Sequence, residues 1–348
     1  MFPLKIKVIL LICISITSIY LVISGSFRIL YKGLPSDHFD GRRFFYKGST
    51  HSFTDMVKWI WQMETVEWPA WVDDPPQAKP VEHVKAGELK ITYINHATLL
   101  IQIDGINILT DPIWSEGAGP ISFLSTKRVR APGIKLDDLP RIDVILISHD
   151  HYDHLDQKTL SGLSKTHKPK ILAGLGVKSL LNEKKFPDIT ELDWWQYSVY
   201  KNLKVTFVPA RHNSGRAFTG SNKTLWGGFV IESPEGKVYF AGDTAYDDFI
   251  PEIGKKFGQF RLTVLPIGSY EKRWYMKTQH MNPEESVKTH ILLKSKQSVG
   301  FHYATFKEHP EQAINAHEKD LSIALKKYEV PETAFWVLQF GEGRYVRK

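Results

Sequence analysis

The segment 148-SHDHYDHLD-156 sets three histidines and three aspartates directly behind the apolar run of 142-IDVILIS-148. Imidazole nitrogen and carboxylate oxygen are the donors zinc accepts where no thiolate is available. Side chains alternate along an extended segment, so His149 and His151 point the same way. Asp153 and His154 follow at the turn into a helix-like stretch at 154–163, where they can face a second ion. Ionisable groups packed this densely beside a buried strand are costly unless a cation neutralises them. The chemistry the pattern supports is metal-assisted hydrolysis.

One loop cannot close such a site alone, so strands elsewhere must deliver further donors. From about residue 88 strand-like runs recur. The runs 90-KITYINHATLLIQI-103 and 106-INILTDP-112 read as a meander turned at Asp104-Gly105, a strong hairpin signal. The run 142–148 is apolar enough for a strand buried on both faces. Further strands are read at 204-KVTFVPA-210, 225-LWGGFVIES-233, 237-KVYFAGD-243, 262-LTVLPIG-268, 298-SVGFHYATF-306 and 335-FWVLQF-340. Strands interleaved with helices predict an α/β protein with helices on the outer faces of its sheets. In 279-QHMNPEE-285, Asn282 is a good N-cap, Pro283 suits the first helical position and Glu285 completes a capping-box pattern. His280 therefore stands just before a helix N-terminus, where backbone N–H groups attract anions.

The composition is globular, with 348 residues, 42% hydrophobic and 24% charged, and no low-complexity tract. The net charge of +7 is spread along the chain and suits anionic lipid, phosphate and nucleic acid alike, so charge selects no partner. The single cysteine, Cys13, excludes an intrachain disulfide and a thiolate metal site. Cys13 lies in 8-VILLICISITSIYLVISGSF-27, which holds no charged residue. At about 1.5 Å per helical residue that segment spans the roughly 30 Å hydrocarbon core of a bilayer. Its length favours an uncleaved transmembrane helix, while Ser24 and Ser26 fit a secretory signal. The expected organisation is an anchor or signal segment at 1–30, an aromatic-rich extension at 31–87 packing on the domain or the membrane, and a hydrolase domain at 88–348. Membrane anchoring would leave the catalytic domain extracytoplasmic, although basic residues flank both ends of the segment and fix no orientation.

The HxHxDH pattern resembles the metallo-β-lactamase superfamily. The rest of that signature occurs in the family's order over about residues 88–345: Asp111 in 109-LTDP-112, His212 in 208-VPARH-212, Asp243 in 239-YFAGDT-244 and His302 in 300-GFHYATF-306. The resemblance implies an αββα four-layer sandwich with two zinc ions at one edge. It implies His149, His151 and His212 on the first zinc, Asp153, His154 and His302 on the second, and Asp243 bridging. Asp111 would support the ligand loop from behind. Asp153 and His280 are the residues it implies for catalysis, with an activated water attacking a carbonyl carbon or phosphorus.

Longer strings are similar to the N-acylphosphatidylethanolamine-hydrolysing phospholipase D family: 94-INHATLLIQIDGINILTDPIWS-115, 148-SHDHYDHLD-156, 240-FAGDTAY-246, 268-GSYEKRWYMKTQHMNPEESV-287 and 301-FHYATF-306. That family cleaves the phosphodiester on the ethanolamine side, releasing N-acylethanolamine and phosphatidic acid. Lys272 departs from its pattern, which is expected to place proline between Glu271 and Arg273. By this resemblance His280 contacts substrate or leaving group, and Tyr152 and Tyr270 line the pocket. His96, in 95-NHAT-98, sits beside the site in a structural part; the other histidines have no ligand spacing. The expected protein is a membrane-associated di-zinc phosphodiesterase acting on phospholipid, with a homodimer suggested by the resemblance and no nucleic-acid partner. A metal-dependent lactonase or other small-substrate hydrolase of the same fold is the alternative. A non-catalytic scaffold would have no need of seven metal-binding side chains.

Overall fold

Two seven-stranded sheets face each other in the computed structural model, which describes residues 29–48, 52–121, 125–181, 185–217, 219–307 and 311–348. The first sheet runs through β1 (Leu89–Asn95), β2 (Thr98–Ile103), β3 (Ile106–Thr110), β4 (Val144–Ile147), β5 (Lys170–Gly174) and β6 (Ile189–Leu192), with β14 (Gly343–Tyr345) outside β1. The second runs from β7 (Tyr197–Tyr200) through β8 (Leu203–Val208), β9 (Gly228–Ser233), β10 (Gly236–Phe240), β11 (Leu262–Pro266) and β12 (Gln297–Phe301) to β13 (Phe335–Trp336). Each sheet is part antiparallel and part parallel. Pairing is antiparallel from β14 to β3 and parallel from β3 to β6. It is antiparallel from β7 to β10 and parallel from β10 to β13. The helices are α1 (Phe53–Trp61), α2 (Gln157–Thr166), α3 (Val177–Leu181), α4 (Phe249–Phe257), α5 (Arg273–Met276), α6 (Pro283–Leu292) and α7 (Ala316–Lys327).

Strand alternation sorts the apolar side chains into layers. In β4, Val144 and Leu146 join Leu99, Ile101, Phe207 and Phe229 in the main core. Ile145 and Ile147 face the opposite way and pack with Leu160 and Leu163 of α2 and Val177 of α3. Ile250 and Ile253 of α4 and Val287 of α6 cover the second sheet. The layers are therefore helix, sheet, sheet, helix, as the strand pattern and the resemblance both predict.

Local sequence explains most boundaries. Asp104 and Gly105 adopt φ of 51° and 75°, the geometry a two-residue hairpin requires. The run 90–103 is two strands rather than one, broken where His96 turns at φ 42°. Helix α2 starts at Gln157, later than its apolar pattern suggests, because Asp156 caps it and accepts from Lys158 N. Asn282 and Glu285 form the predicted capping box of α6, with Pro283 at its first position. The run 335–340 contributes only the two residues of β13 to the sheet.

The extension packs on the domain through part of its aromatic content. Phe39 and Phe44 enter the main core. Trp59 stacks on Tyr275 with ring centroids 5.1 Å apart, and Trp68 Nε1 donates to Gln312 O. Trp61, by contrast, is 86% exposed. The expected transmembrane segment at 8–27 lies outside the described residues. Among the described residues no helix is long and apolar enough to cross a membrane.

Phe207 and Phe229 pair across β8 and β9 with ring centroids 5.0 Å apart, and Phe229 is fully buried. Phe229→Ala should cost about 3–5 kcal/mol of stability. Urea unfolding followed by tryptophan fluorescence should show a clearly lowered midpoint.

Candidate metal centre

Strand ends deliver the donors to one edge of the sandwich. β3 leads into Asp111, β4 into the loop 148–156, β8 into His212, β10 into Asp243 and β12 into His302. Sites in sheets with parallel strands form at these carboxyl ends. Gly242 makes one close approach possible. At φ 60° it tolerates a conformation that side chains disfavour, and a Cβ there would stand 2.8 Å from Ser148 Cβ. Asp243 can thereby sit against the ligand loop.

The donor atoms form two groups that meet at one carboxylate. In the first, His149 Nε2 lies 2.9 Å from His151 Nδ1, which lies 3.3 Å from His212 Nε2. In the second, Asp153 Oδ2 lies 3.0 Å from His154 Nε2 and 3.7 Å from His302 Nε2. Asp243 Oδ2 touches both groups, at 3.0 Å from His302 Nε2, 3.3 Å from His154 Nε2 and 3.8 Å from His212 Nε2. With zinc–nitrogen bonds of about 2.0–2.1 Å, adjacent donors of a tetrahedron stand about 3.4 Å apart. The observed spacings straddle that value. Asp243 Oδ1 is buried without a hydrogen-bond partner among the described residues. The donor set therefore fits metal binding.

Hydrogen bonds behind the donors select the tautomers. Asp111 accepts from Ser148 N at 2.7 Å, Ser148 Oγ at 2.6 Å and His154 Nδ1 at 2.8 Å. With its own proton committed to Asp111, Ser148 Oγ accepts from His149 Nδ1 at 2.9 Å. His212 Nδ1 donates to Gln279 O at 3.0 Å. All three rings then turn Nε2 inward, the atom that would face a metal ion.

Charge states agree with that arrangement. Burial pushes His149 well below its ordinary value, helped by the imidazoles of His154, His151 and His212. Burial likewise takes His212 down to about 3. Burial alone would raise Asp153 and Asp243. The His154 imidazole beside each reverses this, and both carboxyls lie well below the usual carboxylate range. His154 itself is pushed down by burial, but Asp243 and Asp153 more than offset this and hold it well above its ordinary value. Neutral imidazoles and ionised carboxylates are the forms that bind metal, and a cation would take over the role that the proton on His154 plays here.

The remaining predicted residues divide. His280 is buried at the rim, its Nδ1 3.8 Å from Asp243 Oδ2. Tyr152 is half-buried beside the ligands; its hydroxyl accepts from Ala217 N, and the Arg216 guanidinium lies 3.9 Å from its ring centroid. Tyr270, expected to line the pocket, is taken up by its own packing. Its ring is buried and its hydroxyl donates to Asp320 of α7, so packing and a hydrogen bond take it up. Lys272, where proline is expected, reaches Glu311 at 3.1 Å.

Two contributors emerge only from the structure. His96 Nε2 donates to Asp153 Oδ2 at 2.8 Å while its ring lies on that of His302, centroids 4.0 Å apart. Its place in 95-NHAT-98 hinted at proximity but not at a grip on a donor carboxylate. Arg216 Nη1 donates to Asp150 O and Leu155 O, clamping both ends of the ligand loop, and no local signal marked it.

Sandwiched mixed sheets with a histidine–aspartate cluster at their carboxyl edge define a metallo-hydrolase architecture. Residues 106–303 match the Beta-lactamase superfamily domain, and the chain belongs to that superfamily. It is similar to N-acyl-phosphatidylethanolamine-hydrolyzing phospholipase D 1 of Caenorhabditis elegans, 34% identical over 75% of this chain and 76% of that protein. A metal-dependent hydrolase of Methylacidiphilum infernorum is 29% identical over 73% of this chain and 99% of its own length. Among solved structures, the metallo hydrolase Igni18 of Ignicoccus hospitalis shares the fold, with TM-score 0.56 at 21% identity, covering 75% of this chain and 99% of that one. Family, relatives and donor set agree that this is a metal-dependent hydrolase.

Asp111→Asn keeps the side-chain shape but sets an amide N–H, or a weaker acceptor, against donors. Metal affinity should fall about 10–100-fold, as for lost support of ligating histidines. Competition with a chromophoric chelator measures it; unchanged affinity would show that Asp111 does not orient the ligands.

Proposed function

We propose that the chain is a membrane-associated phosphodiesterase that holds two zinc ions and hydrolyses N-acylphosphatidylethanolamine, or a closely related phospholipid, to N-acylethanolamine and phosphatidic acid. The observation that carries this reading is the shared corner at Asp243, which stands within 3.8 Å of donors from both groups. His149, His151 and His212 would hold one ion, Asp153, His154 and His302 the other, with Asp243 between them. Bound there, the ions would make water a nucleophile near neutral pH and offset charge developing on the phosphoryl oxygens.

The chain's own residues prepare that chemistry. Asp111 and Gln279 O fix the ring orientations. His96 holds the Asp153 carboxylate toward the cluster. His280, between Asp243 and the N-terminus of α6, is placed to hold a proton for the leaving oxygen. Tyr152, with the Arg216 guanidinium against its ring, stands next to the ligands His151 and Asp153 in the chain and would meet the substrate.

Lipid as substrate is supported by the similarity to the Caenorhabditis elegans phospholipase and by α1. Met56, Val57, Ile60 and Trp61 of α1 are exposed, and α1 rests through Trp59 on Tyr275 of α5, the helix that leads into His280. A helix with such an exposed apolar face suits the interfacial region of a bilayer. The similarity to the Methylacidiphilum infernorum hydrolase favours a second reading, hydrolysis of a small soluble ester or lactone.

Zinc-loaded protein in mixed micelles of N-acylphosphatidylethanolamine should release N-acylethanolamine and phosphatidic acid, detected by mass spectrometry. His151→Ala should lower the rate by about a hundredfold or more. Absence of both products while zinc is bound would remove the lipid assignment and bring lactones forward.

A further inference from the structure

A cavity of about 430 Å³ begins at the wall formed by His212 and runs between Arg43, Tyr46, Lys47, Arg211 and Gln279. His212 belongs to the donor cluster, and Gln279 O receives its Nδ1–H, so this cavity adjoins the reacting centre. Its cations come from two sources. Arg211 neighbours a donor and is already neutralised, with Nη1 2.6 Å from Asp247 Oδ2. Arg43 and Lys47 come from the extension, outside the matched residues 106–303. Among the described residues neither forms an ion pair, and no carboxylate lines the cavity.

The extension presents these two cations from a fixed turn. Phe39 and Phe44 are buried against each other, with ring centroids 4.6 Å apart. Asp40 Oδ1 accepts from the backbone N–H of Arg42 at 2.7 Å and of Arg43 at 2.6 Å. Phe44 N donates to Asn222 O at 2.8 Å, and His38 Nε2 lies 2.7 Å from Asp193 Oδ1. The backbone carrying Arg43 is thus held in place before any ligand arrives, with Lys47 four residues on, which lowers the ordering cost of binding. Arg43, Lys47 and Arg211 make one side of this space cationic, which suits a short charged arm.

We propose that Arg43 and Lys47, with Arg211 beside them, form a subsite for a second anionic group of the substrate, a carboxylate or phosphate on the headgroup side of the scissile phosphodiester. The inference rests on the phosphodiesterase reading and narrows it: the preferred phospholipid has a headgroup that bears a negative charge of its own. The turn of the extension is then a specificity element of the site.

N-pentanoyl- and N-glutaryl-phosphatidylethanolamine have arms of matched length that end in a methyl and a carboxylate respectively. With zinc-loaded full-length protein, KM for the glutaryl lipid should be about tenfold lower, and Arg43→Gln with Lys47→Gln should bring the two values together. Both side chains are exposed, so zinc content and unfolding midpoint of the double variant should match the parent. Equal KM values in the parent, or a preference that survives the double substitution, would overturn the subsite. If neither lipid is cleaved, the phosphodiesterase reading fails, and calorimetric titration with inorganic phosphate decides the subsite separately. One more phosphate bound by the parent than by the double variant supports it; equal stoichiometry overturns it.

Discussion

The two oxygens of Asp111 accept three hydrogen bonds in a space closed to solvent, and through them one carboxylate orients a histidine in each donor group. His154 is held directly and His149 through Ser148 Oγ. Burying a carboxylate costs several kcal/mol. Three hydrogen bonds to a charged group, at about 1.5–3 kcal/mol each, offset part of that, and burial still holds the Asp111 carboxyl above its ordinary value. The arrangement is stable only with all three donors in place, which ties the end of β3 to the loop after β4. Whatever shifts one shifts the inward face of both donor groups.

The sandwich supplies the rest of the constraint. Carboxyl ends of β3, β4, β8, β10 and β12 share an edge: β3 and β4, and β10 and β12, through parallel pairing within their sheets, and β8 because two antiparallel pairings through β9 turn it the same way as β10. That edge concentrates seven imidazoles and three carboxylates, most of them buried. Without a cation, Asp243 and Asp153 hold His154 well above its ordinary value against the burial that pushes it down. The fold thus holds open a position of strong positive preference. The cations of the extension, Arg43 and Lys47, stand beside this edge on the His212 side.

The donors themselves are legible in the sequence because metal chemistry admits few residue types and each stands directly after a strand. The core strands are legible for a similar reason: 142-IDVILIS-148 must be buried on both faces, and it is. What stays hidden depends on contacts between distant positions. His96 meets Asp153 across 57 residues, and His38 meets Asp193 across 155. Nothing in 95-NHAT-98 says which carboxylate the ring will hold. Tyr270 reads as a pocket residue from its neighbours in sequence, yet its partner is Asp320 on a helix fifty residues away. Of the four tryptophans in 59–71, Trp59 and Trp68 bond to the body while Trp61 stays exposed, a division set by the body's surface and invisible in composition.

Asp243 stands between two proposed metal positions. Anomalous diffraction at the zinc edge from crystals of the zinc-loaded protein locates the ions. Two peaks about 3.5–4 Å apart are expected, with Asp243 between them and His149 and His154 on different ions. A single peak held by His149, His151 and His212, with His154 and Asp243 bound to no ion, would contradict that placement.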